Sequence, residues 1–352
     1  HFRNRYKSVA QVLQKLRGGT ANFISISWLL VGLTVAVGSA IAIYYYIFLL
    51  SKTALVFKDG LSAGEEILFT SSSPRLKQKG VREFADSNSK QAVKNFKESW
   101  QKEYGKDPET LVYMNNAFLE ANKIPYYTIA VALPIGSKNP DSPTHLSDRA
   151  KEVLRGVAQA QTEVNLKLSN SSNNQDFPGA GFLQGKAING KGLKVILADD
   201  ANDGEEAKQK ASLLVNQPDI LAVIGHTNSE MTIHAVDIYN KNNLVLMSSG
   251  AATEELTHEP RKFFFRTQYT SSLIATSLAD HLLVKNQKQA VILYNQANAF
   301  GSSFYEEFKK YFETQGGKII RIRDFDLSKK GFNAQRAIKE IGAKGETAIA
   351  LV

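Results

Sequence analysis

Between Ile220 and Thr257, two apolar runs each end in small and hydroxyl-bearing residues. Ile220–Ile224 stops at Gly225 and leads into His226-Thr227-Asn228-Ser229-Glu230. Leu244–Met247 leads into Ser248-Ser249-Gly250-Ala251-Ala252-Thr253. A hydroxyl donates one hydrogen bond and accepts others, and Gly or Ala leaves the backbone open to a neighbour. Thr227, Ser229, Ser249, Gly250, Ala251, Ala252 and Thr253 therefore suit the holding of a small polar molecule by hydroxyls and free backbone N–H groups. Thr227-x-x-Glu230 reads as a capping box on the helix that follows. The N-terminus of such a helix offers N–H groups and the positive end of its dipole to an anion. Neither loop pairs a nucleophile with a base, so the chemistry is binding and the chain does not read as an enzyme.

Other motifs carry less. Asp200-Ala201-Asn202-Asp203-Gly204 is one residue short of a calcium loop and has no Glu at the twelfth position, so it reads as a turn with capping acids. Gly181–Lys186 is one residue short of a phosphate loop, and Ala187 stands where that loop needs Ser or Thr. His226 and His234 are eight apart without a third ligand, so no metal is called for. Gly-x-Ser-x-Gly does not occur. The chain has no Cys, which removes thiolate and disulfide chemistry, and no cofactor is implied.

The elements that must position these loops alternate as strand and helix. Strands are expected at Tyr127–Pro134, Leu193–Ala198, Ile220–Ile224, Leu244–Met247 and Phe263–Arg266. Helices are expected at Ser147–Glu163, Glu205–Asn216 and Glu230–Asn240. After the helix Ser271–Val284 the pattern restarts, with strands at Ala290–Tyr294, Lys318–Ile322 and Thr347–Val352 and helices at Ser302–Gln315 and Asn333–Ile341. This is an α/β pattern with parallel sheets, whose ligands sit at the carboxyl ends of the strands. Residues 168–191 are rich in Gly, Asn and Ser and read as a loop or hairpin.

From about residue 125 to 352 the chain resembles the periplasmic type I solute-binding proteins of the Leu/Ile/Val-binding family. The resemblance runs through Ala130-Val131-Ala132-Leu133-Pro134-Ile135-Gly136, Leu154-Arg155-Gly156, Glu163-Val164-Asn165 and Asp199-Asp200. It continues in Ala207–Val215, Val223-Ile224-Gly225-His226 with Ser229, Ser248–Thr253 with Leu256-Thr257, Phe265-Arg266-Thr267 and Phe300-Gly301. It implies two Rossmann-like α/β lobes with a ligand cleft between them. Lobe one would cover 124–267, and lobe two would cover 268–352 and be incomplete. The resemblance also implies that Ser229 takes a ligand carboxylate and that the loop at Thr253 meets the α-carboxylate and α-amine. Phe300 stands at the entry of lobe two, where the family often has Tyr. It can cover a ligand but cannot hydrogen-bond to it.

The first third of the chain reads differently. Phe23 to Leu50 are 28 residues without a charge, roughly 40 Å of helix, enough to cross a core of about 30 Å with tilt. Arg3, Arg5, Lys7, Lys15 and Arg17 precede this run and no acid accompanies them. Residues 1–22 thus supply +5 of the net +9, which argues against a nucleic-acid surface and places the N-terminus in the cytoplasm. A cleaved signal peptide is the other reading of the span. The run Arg5, Tyr6, Ser8, Val12, Leu13, Leu16 resembles the end of bacterial Ser/Thr protein kinase domains, while a basic juxtamembrane helix explains it equally.

Residues 51–75 read as a linker and 76–123 as a small α-helical, tetratricopeptide-like spacer, with Gly80, Ala92 and Phe96 as packing residues. The chain opens at His1 and closes in an apolar run, which reads as a piece of a longer protein. The whole reads as a single-pass protein of the bacterial inner membrane, with an extracytoplasmic domain that senses an amino acid for a cytoplasmic kinase. The alternative is the substrate-binding component of an ABC-type amino-acid importer, working with its permease.

Overall fold

A computed structural model describes residues 60–70, 73–102, 106–136, 145–168, 187–345 and 347–352. The basic tail, the kinase-like run, the span Phe23–Leu50, residues 169–186 of the Gly/Asn/Ser-rich segment and the short Gly181–Lys186 motif lie outside them. Among the described residues no helix is long and apolar enough to cross a membrane. All of them fall in one unit, Phe57–Val352.

Lobe one is a six-stranded sheet in the order β1-β3-β2-β4-β5-β6. Its strands are β1 (Leu61–Ser62), β2 (Tyr126–Leu133), β3 (Gly192–Asp199), β4 (Ile220–Ile224), β5 (Val245–Ser248) and β6 (Phe264–Arg266). β2 to β6 are parallel, and β1 joins the edge of β3 antiparallel. The order reverses about β2, so the carboxyl ends of β2 and β4 flank a topological switch point.

Both faces are covered, and the period-two alternation of β2 shows how. Val131 and Leu133 point into a core with Phe96, Val112, Leu119 and Leu154. Ala130 and Ala132 point the other way, against Ala211, Leu214, Ala235 and Tyr239. The first core is built by α1 (Arg75–Ala85), α2 (Ser89–Lys102), α3 (Pro108–Ala121) and α4 (His145–Leu166). The second is built by α5 (Gly204–Val215) and α6 (Ser229–Lys241). Each fully buried large apolar side chain contributes about 1.5–3 kcal/mol.

The segments read from the sequence as spacer and linker pack on the sheet. Residues 76–123 form three helices that share one core with the sheet. Within 51–75, β1 pairs with β3 and Phe69 is buried. Glu109 on α3 holds this segment, its Oε1 accepting from Leu68 N at 2.7 Å and from the Tyr113 hydroxyl at 2.9 Å. Buried Lys77 is paired with Glu109 and with Asp107, the latter at 2.5 Å. Burial pulls the Lys77 ammonium down, but the attraction of Glu109 and Asp107 outweighs it and its pKa is raised. These contacts are long-range and polar, and a Ser-rich segment read alone gives no hint of them.

Beyond β1, the outer edge of β3 is met by side chains. Asn116 donates to Val195 O and Ala63 O at 2.7 Å each and accepts from Val195 N at 3.0 Å. Asn165 accepts from Leu193 N at 2.8 Å and donates to Leu193 O at 3.1 Å. Buried amides on α3 and α4 thus complete the backbone pairing of an edge strand.

Lobe two has the three-stranded parallel sheet β8-β7-β9, formed by β7 (Gln289–Leu293), β8 (Lys318–Ile319) and β9 (Ala348–Leu351). Its helices are α8 (Ser271–Val284), α9 (Ala299–Thr314) and α10 (Ala334–Gly342), with a short α7 (Glu255–His258) before β6. Phe304, Phe308 and Phe312 form a stripe on α9 at four-residue spacing. They pack with Ala275 and Ala279, whose small side chains let α8 lie close. Asp203, Asn228, Thr270, Asn298 and Asn333 cap α5, α6, α8, α9 and α10 through side-chain oxygens.

Candidate functional site

The loop after β5 has each of its backbone polar groups from Ala251 N to Glu254 N bonded. Ala251 N donates to Ser248 Oγ at 3.1 Å. Ala252 N and Thr253 N both donate to Ser229 Oγ, at 3.1 and 3.2 Å. Glu254 N donates to Ser303 Oγ at 3.2 Å. On the carbonyl side, Ala252 O accepts from Ser271 N at 2.7 Å. Arg266 Nη1 reaches Thr253 O at 2.8 Å and Ala251 O at 3.4 Å. The free N–H groups expected from the sequence are therefore engaged. Ala251, Ala252 and Thr253 are buried, buried peptide groups must be paired, and serine hydroxyls stand within reach.

Ser229 opens α6 and is buried. Asn228 precedes it in extended conformation and caps the helix, its side chain accepting from Met231 N at 2.8 Å. The expected capping box on Thr227 is thus shifted by one residue. Thr227 is itself buried, and its carbonyl lies under Gly250: a Cβ on Gly250 would sit 2.1 Å from Thr227 O. The two strand-end loops touch backbone to backbone, and that close approach accounts for the glycine. With two N–H groups on its oxygen, Ser229 keeps a single hydroxyl proton to donate. The Thr253 oxygen accepts only a long bond, 3.4 Å from Glu255 N. Ser249 and Gly250 are half-buried.

Beneath these loops His226 and Asp200 are both buried, with Nδ1 2.6 Å from Oδ2. Nε2 is 3.5 Å from the Tyr239 hydroxyl, and Ser248 Oγ donates to His226 O at 2.6 Å. The ends of β3, β4 and β5 are thereby joined. Asp199 accepts from Ile135 N and Gly136 N, fixing the end of β2. Burial pushes the Asp199 carboxyl up against the effect of these bonds. The Asp200–Gly204 turn works as read: Asp203 caps α5 and Asp200 accepts from Asn202 N at 3.0 Å. His226 is spoken for by Asp200 and Tyr239, and His234 sits 3.6 Å from Glu230 on α6.

Lobe two meets the loop through α8 and α9. Ser303 and Ser271 share a hydroxyl contact of 2.6 Å. Glu254 Oε1 accepts from Ser272 N at 3.1 Å. Phe300 is half-buried one turn before Ser303, its ring 6.3 Å from that of Phe304. The structure thus gathers Thr227, Ser229 and Ser249–Thr253 at one place and sets Phe300 on the adjoining helix of the other lobe. Sequence reasoning placed Ser248 in the second strand-end loop without a role and did not single out Ser271, Ser303 or Arg266. Each acts on a backbone atom distant in sequence, and only the Phe265-Arg266-Thr267 run hinted at one of them.

Residues 180–351 match the family model described as "Periplasmic binding protein". The match begins after β2 and α4, which the fold nevertheless places inside the lobe-one sheet and its cover. An "Amino acid binding protein" of Pseudomonas aeruginosa is 24% identical over 200 residues, 55% of this chain and 52% of that protein. The leucine-, isoleucine-, valine-, threonine-, and alanine-binding protein of the same organism is 26% identical over 147 residues, 42% of this chain and 39% of that protein. The leucine-specific-binding protein of Salmonella typhimurium is 27% identical over 155 residues, 42% of each chain. An ABC transporter substrate-binding protein from Desulfitobacterium hafniense, solved in complex with Leu, has a TM-score of 0.49 and 24% identity over 64% of this chain and 58% of its own. The chain spans about half or less of the length of these curated relatives.

Proposed function

We propose that this chain is a type I periplasmic-binding-protein domain, a reading that the family match over residues 180–351 supports, and that it binds a small solute, an amino acid, outside the cytoplasm and does not transform it. The relatives it matches are named as binding proteins for amino acids, which supports the ligand class, and the family description, "Periplasmic binding protein", supports the location. The observation that carries the reading is the Ser229 hydroxyl, whose oxygen accepts from Ala252 N and Thr253 N. It joins two strand-end loops where α8 and α9 of lobe two meet them and keeps one proton for a ligand oxygen. In this reading Ser229 and Thr253 face the carboxylate. Thr227, Ser249, Gly250, Ala251 and Ala252 shape the pocket floor, and Phe300 covers the solute from lobe two. A hinge between the lobes closes on it.

In the intact protein we assign the domain to a membrane-anchored sensor held by Phe23–Leu50, with residues 1–22 in the cytoplasm. A substrate-binding component of an importer would use the same cleft. Co-purification with a kinase separates the first from the second, which would bring a permease.

Thermal unfolding with leucine, isoleucine, valine and a set of polar amino acids tests the ligand. A solute at about 100 times its dissociation constant adds about 2.7 kcal/mol to stability. A dose-dependent rise with one amino-acid class is the result expected. A folded protein indifferent to the entire set overturns the reading.

A further inference from the structure

Arg266 is the last residue of β6, from which the chain leaves lobe one toward α8. Its side chain turns back over the sheet end. Nη1 bonds the carbonyls of Thr253 and Ala251, the two that flank Ala252, and the Ala252 carbonyl is taken by Ser271 N. Nη2 is buried and has no hydrogen-bond partner. Glu254 attracts the guanidinium, yet Glu254 spends its own oxygens on Ser272 N and the Thr257 hydroxyl. A half-buried arginine thus donates to two main-chain carbonyls of the loop that carries Thr253. Arginine suits this place because its planar fork is rigid and stays charged, whereas lysine offers a mobile point donor.

We propose that Arg266 is the positioning residue of this loop. By holding the carbonyls of Ala251 and Thr253 it sets the tilt of the two peptide units that carry the Ala252 and Glu254 N–H groups. The first of these aims Ala252 N at Ser229 Oγ, while the unit between them, which carries Thr253 N, is held by Ser271 N on the Ala252 carbonyl. Arg266 thereby helps to set where the Ser229 proton points. Arg266 acts through Ser229 and Thr253 and does not touch the solute. The importance of this arrangement for affinity rests on the solute-binding reading. Its importance for loop geometry does not.

Amide hydrogen exchange of the full chain without added solute, in wild type, Arg266→Met and Arg266→Lys, tests the geometry alone. The Ala252 and Glu254 amides, which share peptide units with the carbonyls Arg266 holds, are expected to exchange about tenfold faster or more in Arg266→Met, the scale of one lost charge-assisted hydrogen bond. Amides of β7 should stay unchanged, and Arg266→Lys should fall in between. Unchanged exchange at Ala252 and Glu254 overturns the proposal. So does acceleration spread evenly over both lobes, which would mark a general loss of stability. Leucine titration of the same proteins then reads affinity: a dissociation constant about tenfold weaker in Arg266→Met, partly restored in Arg266→Lys, is expected. Faster loop exchange with unaltered leucine affinity overturns the role in the site. Absence of leucine binding in wild type counts against the solute and leaves the exchange result standing as the judge of the loop.

Discussion

Ser229 Oγ, on the first turn of α6, lies 3.1 Å from the backbone nitrogen of Ala252 in the loop after β5. Thr253 N shares the same oxygen at 3.2 Å. One serine therefore makes a single unit of two loops that belong to neighbouring strands, β4 and β5. Its rotamer is fixed by two donors, so its remaining proton has a fixed direction, and preorganisation of that kind lowers the ordering cost of binding.

Ser229→Ala removes the acceptor from both buried N–H groups. Leaving a buried donor unpaired costs about 1–3 kcal/mol. Urea unfolding should show a loss of at least that size, and the solute-induced rise in melting temperature should disappear. A variant that unfolds at the wild-type midpoint would mean that the two N–H groups find other partners.

Gly250→Ala tests the backbone contact between the loops. The added Cβ would meet Thr227 O at 2.1 Å, with Thr227 Cα also within 3.5 Å. Backbone on both sides cannot swing away as a side chain can, so a loop must move. Overpacking of this kind costs about 1–3 kcal/mol. The variant should fold, lose stability by that amount and bind solute at least about tenfold more weakly. Full solute affinity in Gly250→Ala would show that the loops move apart without consequence.

The alternation of strands and helices was legible because each element carries its own pattern. Ile220–Ile224 and Ser271–Val284 coincide with β4 and α8 to the residue. Ala130 and Ala132 against Val131 and Leu133 display a strand covered on both sides. The neighbourhood of Ser229 and Thr253 was legible too, since both follow apolar runs that must be adjacent parallel strands. Residues 61–69 were not: β1 is only two residues long, and the side chain that accepts from the Leu68 and Phe69 amides is Glu109, 41 and 40 residues away on α3. The occupied N–H groups were also hidden. Ser229 and Ala252 are 23 residues apart, and no local rule says that a hydroxyl near a helix start will accept from a distant loop. Arg266 was hidden for the same reason, because its acceptors are carbonyls, which every residue has.

Asn116→Ala should expose how the edge of β3 is sealed. The substitution leaves Val195 N, Val195 O and Ala63 O without this partner. The expected loss is at least about 2 kcal/mol, with the Val195 amide exchanging faster than its neighbours in β2. Asn116→Asp, which can still accept from Val195 N but cannot donate, should protect that amide while remaining destabilised. Equal exchange in both variants would remove Asn116 as the cause.

Glu254 links stability to acid through the lobe junction. Burial pushes its carboxyl up, but bonds from the Thr270 hydroxyl, Ser272 N and the Thr257 hydroxyl, with help from Arg266, outweigh burial and hold it below its ordinary 4.5. A depressed carboxyl contributes stability that is fully present above the unfolded value and is lost as the pH falls through the folded one. Wild type should therefore exceed Glu254→Gln in urea midpoint by a constant margin from about pH 7 down to about pH 5.5. That margin should shrink once the pH passes below 4.5 and vanish when Glu254 is protonated in both states. Because the acceptor of Ser272 N is lost in the same window, the first turn of α8 should lose amide protection with the same midpoint. A margin that widened in acid would mean that the folded carboxyl is raised, and that Ser272 and Thr270 do not bond it.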